Sequence, residues 1–102
     1  MGEKKVKKFS ISECEILLKS IVAINNYDDA KKFLEDVCTI KELQDMTQRV
    51  TVAKYLSEGK SYQEISKETG ASPATISRVS KCLNYGDGGY ENVLKAIKED
   101  EK

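Results

Sequence analysis

The sequence contains no histidine. Without an imidazole there is no Ser-His or Cys-His pair for nucleophilic catalysis and no histidine ligand for a metal. The three cysteines, Cys14, Cys38 and Cys82, lie too far apart for a zinc knuckle. Acidic pairs such as Asp28 with Asp29 are interpreted as solvated helix faces. We therefore predict that the protein is not an enzyme and has neither catalytic residues nor a metal site.

Long apolar runs are also missing. No run approaches the roughly 18 residues of a membrane span, so no membrane partner is predicted. The N-terminus, MGEKKVKKFSIS, is basic but lacks the apolar stretch of a secretory signal. An odd number of dispersed cysteines without a signal is typical of reduced thiols. We expect a cytoplasmic protein.

The formal net charge is zero, but the charges are unevenly distributed. Residues 1–8 contain four lysines and one glutamate, and residues 49–83 contain six basic and three acidic side chains. The intervening residues 9–48 contain four basic and eight acidic side chains. Two basic regions separated by an acidic one fit an anionic partner that contacts one face. Chance in a charge-rich chain explains the charges equally well.

A single proline and the absence of alternating apolar residues favour helices nearly throughout. We predict an all-α fold of about six short helices, with one domain over 11–98, a basic arm at 1–10 and a charged tail at 99–102. The apolar spacing and the cap signals place helical segments at 13–24, 28–38, 39–46, 48–58, 61–69, 72–83 and 90–98.

Hydroxyl side chains mark the predicted helix starts, and glycines mark the ends. Thr39 with Glu42, and Ser61 with Glu64, have the spacing of capping boxes. Further N-caps are predicted at Ser12, Thr47 and Ser72, and helix ends at Gly59 and Gly70. The first two helices have apolar faces nearly as wide as their polar faces. This indicates burial against a second subunit, with a monomeric bundle as the alternative.

The stretch YQEISKETGASPATISRVSKCL, residues 62–83, breaks a helix and restarts it at once. Two helices of about eight and ten residues around a turn glycine match helix-turn-helix geometry. Ile65, Ile76 and Val79 stand at the expected core positions, with the small Ser66 between the helices. We predict a helix-turn-helix over 61–83, with a helical hairpin used only for packing as the less favoured alternative.

The outer face of this motif carries small, hydroxylated or basic side chains, which suit a helix in the major groove. Replacing Arg78 is expected to reduce specific DNA binding more than replacing any other single residue. The N–H groups after Ser72 are expected to bind a phosphate. Ser72, Thr75 and Ser77 would shape base readout, and Gln63, Lys67 and Lys81 would hold phosphates. The predicted DNA-binding residues are Gln63, Lys67, Ser72, Pro73, Ala74, Thr75, Ser77, Arg78 and Lys81.

Residues 38–83 resemble the tryptophan repressor family of bacterial helix-turn-helix regulators. The similarity is carried by TIKELQDMTQRV and LSEGKSYQEISKETGASPATISRVSKCL, and the segment Tyr85–Tyr90 (YGDGGY) resembles a branch with a YGxGGY motif. The resemblance implies an intertwined homodimer. It also implies paired recognition helices about one helical turn apart on a palindromic operator, a docking geometry for which the tryptophan repressor is itself a standard example.

The same resemblance implies a candidate effector pocket. Thr39, Arg49 and Arg78 match family positions that help form the tryptophan site, and Cys82 matches a serine that closes it. The glycine that leaves room for the indole ring is Val79 here, and a leucine before the threonine is Cys38. Tryptophan is therefore disfavoured as corepressor. Either another small molecule binds, or none does.

Together these features predict a homodimeric, sequence-specific DNA-binding transcriptional regulator that places helix 72–83 in the major groove. The lack of a separate activation domain favours a repressor. The alternative is a helical protein-interaction or dimerisation module without specific DNA binding. The lysines of the N-terminal arm either follow the DNA backbone or act only as a solubilising tail.

Overall fold

The computed structural model describes residues 9–101, which are mostly helical and contain no strand. The all-α prediction is confirmed over this range. A 3-10 helix at Ile11–Cys14 precedes six α-helices, and none of them is long and apolar enough to cross a membrane. Most of the predicted N-terminal arm lies outside the described residues. The helices are α1 (Glu15–Ala23), α2 (Tyr27–Val37), α3 (Ile40–Ser57), α4 (Tyr62–Thr69), α5 (Pro73–Tyr85) and α6 (Gly89–Asp100).

Two predicted helix starts are wrong. The chain begins its first helical turn at Ser10 rather than Ser12, because Ser10 forms a capping box with Glu13 around the 3-10 helix. No new helix begins at Thr47, since this residue lies inside α3, which is a single helix of 18 residues. The Thr47 carbonyl oxygen accepts a bond from the Thr51 hydroxyl at 2.8 Å. Cap-like side chains within a continuous apolar pattern therefore mark no boundary here.

The other cap predictions are confirmed. Thr39 with Glu42 and Ser61 with Glu64 form complete capping boxes at the starts of α3 and α4. Gly59 ends the turn after α3 with a φ of +85°, in the left-handed region that glycine tolerates best. These caps satisfy N–H and C=O groups that a helix end leaves without intrahelical partners.

The described chain divides into two compact units, one ending at Cys38 and the other beginning at Thr39. The first contains the 3-10 helix, α1 and α2, and neither α-helix has a buried residue. On α1, Ile16 is 77% exposed and Val22 is 83% exposed. This unit leaves most of its apolar side chains in contact with solvent. The prediction of one domain over 11–98 stays a prediction.

The second unit contains α3 to α6 and the hydrophobic core. Its buried side chains come from α3, α4, the turn after α4, and α5, with Tyr90 and Leu94 of α6 packed against them. The predicted core positions Ile65, Ile76 and Val79 are confirmed. Tyr90 packs on this core, whereas Tyr85 is 85% exposed. The buried residues are Val52, Ala53, Ile65, Ala71, Ile76 and Val79.

Candidate nucleic-acid interface

The turn between α4 and α5 is held in one shape by backbone and side-chain hydrogen bonds. Gly70 adopts a φ of +74°, and its N–H donates to the Ser66 carbonyl oxygen at 2.9 Å. The Ser66 hydroxyl donates to the Ala71 carbonyl oxygen at 2.8 Å. The Ala71 N–H donates to the Thr69 hydroxyl oxygen at 3.1 Å, while that hydroxyl donates to the Ile65 carbonyl oxygen at 2.7 Å. The angle between the two helices is thus specified by polar contacts as well as by the core.

A further contact ties this turn to α3. The Gln48 amide nitrogen donates to the Thr69 carbonyl oxygen at 3.1 Å, across 21 positions of sequence. Sequence reasoning missed this contact, because its two residues are 21 positions apart and no local spacing relates them. The bond satisfies a carbonyl at the end of α4, where an intrahelical partner is missing. Gln48 therefore helps to set the position of the turn on the core.

The start of α5 combines a hydroxyl cap with a proline. The Ser72 hydroxyl oxygen accepts from the Thr75 N–H at 3.2 Å, and Ile76 N–H donates to the Ser72 carbonyl oxygen at 3.0 Å. Pro73, the first helical residue, has no N–H. Among the helical residues of this first turn, Ala74 is therefore the one whose backbone N–H has no partner within residues 9–101. The predicted phosphate site after Ser72 has one backbone donor rather than several.

The hydroxyl groups of Ser72 and Thr75 are bonded to each other at 3.1 Å. Thr75 is half-buried, whereas the other predicted contact residues are exposed. Base readout by Thr75 would therefore require this pair to turn outward. The exposed members of the predicted set are Gln63, Lys67, Ser72, Pro73, Ala74, Ser77, Arg78 and Lys81.

Within residues 9–101, Lys67, Arg78 and Lys81 form no ion pair. The acidic side chains of α4 are already engaged elsewhere. Glu68 pairs with Lys60 at 3.0 Å, which raises the pKa of the Lys60 ammonium. The Glu64 carboxylate accepts the Ser61 N–H at 2.9 Å, and this bond lowers the Glu64 pKa below its usual value of 4.5. The motif therefore presents positive charge that no neighbouring carboxylate neutralises.

Comparison with known proteins relates this geometry to a family. The family model described as "Trp repressor protein" matches residues 12–98. The chain belongs to the Trp repressor family. The helix-turn-helix at 61–83, found in the structure as α4, the Gly70 turn and α5, lies within the matched range.

Individual relatives agree with this membership. The uncharacterized protein YerC of Bacillus subtilis is 45% identical over 96 residues, which covers 94% of this chain and 92% of YerC. The crystal structure of a TrpR-like protein from Eubacterium eligens is 45% identical, with a TM-score of 0.79, covering 85% of this chain and 90% of that chain. A Staphylococcus aureus structure named for the Trp repressor is 33% identical, with a TM-score of 0.79 and coverage of 89% and 96%.

The candidate effector residues of this Trp repressor family member do not share one cavity. Cys82 lines a largely apolar groove of about 460 Å³ with Val50, Tyr90 and Leu94. Thr39, Arg49 and Arg78 are absent from its lining. The Thr39 hydroxyl oxygen is occupied by the Glu42 N–H at 3.1 Å. Arg49 and Arg78 are exposed and form no ion pair within the described residues.

By the resemblance, the indole ring of tryptophan would lie next to position 79, and in this structure that space is filled by a valine side chain. Val79 is only 2% exposed and belongs to the buried core cluster with Ile65 and Ile76. A close-packed side chain leaves no room for a planar ring without displacing its neighbours.

As for metals, no group of three Cys, Asp or Glu side chains within residues 9–101 is placed to hold one.

The capping box of α4 predicts an acid-sensitive contribution to stability. Because the Glu64 pKa is lowered in the folded state, its contribution is present above the unfolded pKa and is lost as pH falls through the folded pKa. Glu64→Gln keeps an acceptor for the Ser61 N–H but cannot titrate. We expect the free energy of unfolding, measured with urea, to be higher for the wild type than for this variant. This difference should become smaller as pH falls below 4.5. Unfolding free energies that stay parallel for the two proteins across this pH range would contradict the assignment.

Proposed function

We propose that this protein is a sequence-specific DNA-binding transcriptional regulator that acts as a homodimeric repressor and places α5 in the major groove. The observation that carries the proposal is a set of three cations, Lys67, Arg78 and Lys81, that form no ion pair within residues 9–101 and lie on a rigidly held helix-turn-helix. Unneutralised basic side chains on one face are the electrostatic footprint of nucleic-acid binding. Membership of the Trp repressor family supports the same function.

Phosphate binding is assigned to the helix starts and their neighbouring lysine. At the N-terminus of α4, Ser61 satisfies the N–H groups of Glu64 and Ile65. The N–H groups of Tyr62 and Gln63 have no partner among the residues that the structure describes. A helix N-terminus with free donors favours an anion, and Lys67 adds positive charge one turn further along. These contacts would fix the register of α4 across the DNA backbone.

Base readout is assigned to the outward face of α5. Arg78 is exposed and forms no ion pair in the described part of the chain, so its guanidinium can donate two bonds to a guanine edge. Ser77 and Ala74 are small, which allows the helix backbone to lie deep in the groove. Residues 72–81 carry no exposed large apolar side chain. A protein-binding face would usually carry such an anchor, so this face favours DNA over a protein partner.

The homodimer is supported by the unburied apolar residues of α1. Ile16, Leu17, Leu18, Ile21 and Val22 are all exposed within one nine-residue helix. An apolar surface of this kind marks an interaction site on a folded protein. A second copy of the chain is the partner that a palindromic operator would require, because a two-fold pair of recognition helices reads a palindrome.

Placing charge on α1 therefore should separate the subunits. Leu18 and Val22 lie one turn apart, so Leu18→Glu with Val22→Glu introduces two carboxylates on the same stripe. We expect the wild type to sediment as a dimer and the double variant as a monomer in analytical ultracentrifugation. Lys31→Glu, an exposed change on α2, serves as the charge control and should remain dimeric. A monomeric wild type would instead favour the protein-interaction alternative for this surface.

We further propose that DNA binding does not require tryptophan. The buried position of Val79 supports this view, because the side chain itself fills space in the core. The recognition helix would then be held at its DNA-binding angle by the protein's own packing. A different small molecule bound near Thr39, Arg49, Arg78 or Cys82 remains the alternative.

The decisive experiment is a selection from genomic DNA fragments with purified protein and no added ligand, followed by sequencing of the retained fragments. Enrichment of a palindromic sequence would establish specific binding without a corepressor. A reporter driven by a promoter that contains this palindrome would then measure repression directly. Enrichment only when amino-acid metabolites are added would reject ligand independence. No enrichment in either condition would reject the DNA-binding function.

A further inference from the structure

A cleft of about 370 Å³ lies between α4 and α5 on the proposed DNA-binding face. Its walls come from α4 through Tyr62, Gln63, Ser66 and Lys67, and from α5 through Pro73 and Ile76. Candidate base contacts usually project from the recognition helix alone. Here the cleft offers a concave surface beside the start of that helix, where base edges would pass.

The interior of the cleft presents few hydrogen-bonding groups. Pro73 is exposed, its pyrrolidine ring is apolar, and it has no N–H. The Ser66 hydroxyl hydrogen is already donated to the Ala71 carbonyl oxygen. A polar base edge or a phosphate placed against these groups would lose bonds to water without replacement. The interior is therefore suited to an apolar group.

The outer part of the cleft is polar and positive. Lys67 and Gln63 are exposed and have no protein partner within the described residues. The nearby Glu64 carboxylate is held by the Ser61 N–H, and Glu68 is held by Lys60. An approaching anionic backbone therefore finds unpaired cationic and amide groups around an apolar interior. This charge complementarity points to nucleic acid as the occupant.

In the major groove, thymine is the one base that presents a methyl group, at C5, in addition to its hydrogen-bonding atoms. We propose that the α4–α5 cleft binds the C5-methyl group of one thymine in each operator half-site. Pro73 and Tyr62 would be the specificity-determining residues. The inference rests on the proposed DNA-binding function and adds a base preference to it.

The test uses the palindromic fragment recovered by the selection. Each thymine of one half-site is replaced singly by deoxyuridine, which lacks the methyl group but pairs identically with adenine. We expect one position at which the replacement lowers affinity about fourfold, the factor expected from exposing one buried methyl group. At the other thymines the affinity of the full-length protein should remain unchanged.

The second arm repeats the titration with Pro73→Ala and Tyr62→Ala. Each variant should bind the thymine fragment more weakly, and the deoxyuridine penalty should shrink, as in a double-mutant cycle for groups in contact. Lys95→Ala on α6 removes a charge away from the cleft and should retain the full penalty. Circular dichroism of each variant verifies that its helices are intact.

Two results would overturn the inference while leaving specific DNA binding in place. One is an absence of any deoxyuridine penalty in the wild type. The other is a penalty that persists unchanged in both cleft variants. Failure of the wild type to bind any fragment would reject the proposed function and this inference together.

Discussion

Arg78→Ala should abolish sequence-specific DNA binding while leaving the helical fold unchanged. Arg78 lies on the exposed face of α5 and has no partner within the described residues, so its removal breaks no internal contact. A bidentate arginine–guanine contact contributes about 1–3 kcal/mol of discrimination, and a dimer loses one at each half-site. Fluorescence anisotropy with the selected palindrome and with an unrelated duplex measures the specific and non-specific affinities separately. We expect the ratio between them to collapse toward one.

The control for this experiment is Lys95→Ala, which removes the same charge from α6. Lys95 is exposed but lies outside the helix-turn-helix, so the specificity ratio should stay close to the wild-type value. Lys67→Ala provides a second comparison. Loss of a phosphate contact should weaken binding to both duplexes and reduce the salt dependence of affinity. Specific binding that survives Arg78→Ala would show that another face of the protein reads the bases.

Ile65→Ala should strongly destabilise the helix-turn-helix. Ile65 is the buried residue of α4 and packs in the cluster with Val52, Ile76 and Val79. Truncating a buried isoleucine to alanine costs about 2–5 kcal/mol, because transfer energy is lost and a cavity remains. For a domain of this size, each kcal/mol lowers Tm by roughly 4–8 °C. Thermal unfolding followed by circular dichroism should therefore show a decrease in Tm of about 8 °C or more.

Ile65→Val provides a graded control in the same position. Removing one methylene from a core isoleucine costs about 0.5–1.5 kcal/mol, so this variant should unfold between the wild type and Ile65→Ala. Both measurements are made at one protein concentration, because the apparent stability of a dimer depends on concentration. A Tm for Ile65→Ala equal to that of the wild type would contradict the placement of Ile65 in the core.

The local elements of the candidate site were predictable from sequence because each depends on neighbouring residues. A glycine with positive φ, a hydroxyl N-cap and an acidic residue three positions later act within one helical turn. The turn at Gly70 and the capping box of Ser61 with Glu64 therefore match their predictions. The predicted boundary at Thr47 failed for a related reason. A possible cap has no effect where the apolar pattern on both sides supports one continuous helix, as α3 does.

Contacts between distant residues were not predictable in this way. Gln48 and Thr69 meet only because α3 and α4 pack together, and no local spacing signals their bond. The same applies to Lys60 and Glu68, which pair across eight positions of sequence, so that the Glu68 carboxylate is engaged by Lys60 and not by the other cations of the motif. The number of charged side chains can be read from the sequence. Which of these side chains remain available to a partner depends on the pairs that form in the folded protein.

The sequence by itself determined the helical class, the position of the helix-turn-helix and the residue types on its outer face. These properties follow from periodicity and from short-range steric and capping preferences. Only the tertiary structure decided that Gln48 reaches the Thr69 carbonyl oxygen, that Lys60 pairs with Glu68, and that α4 and α5 enclose an apolar cleft. Burial and cavities depend on which surfaces meet, and that is settled when separate helices pack against a common core.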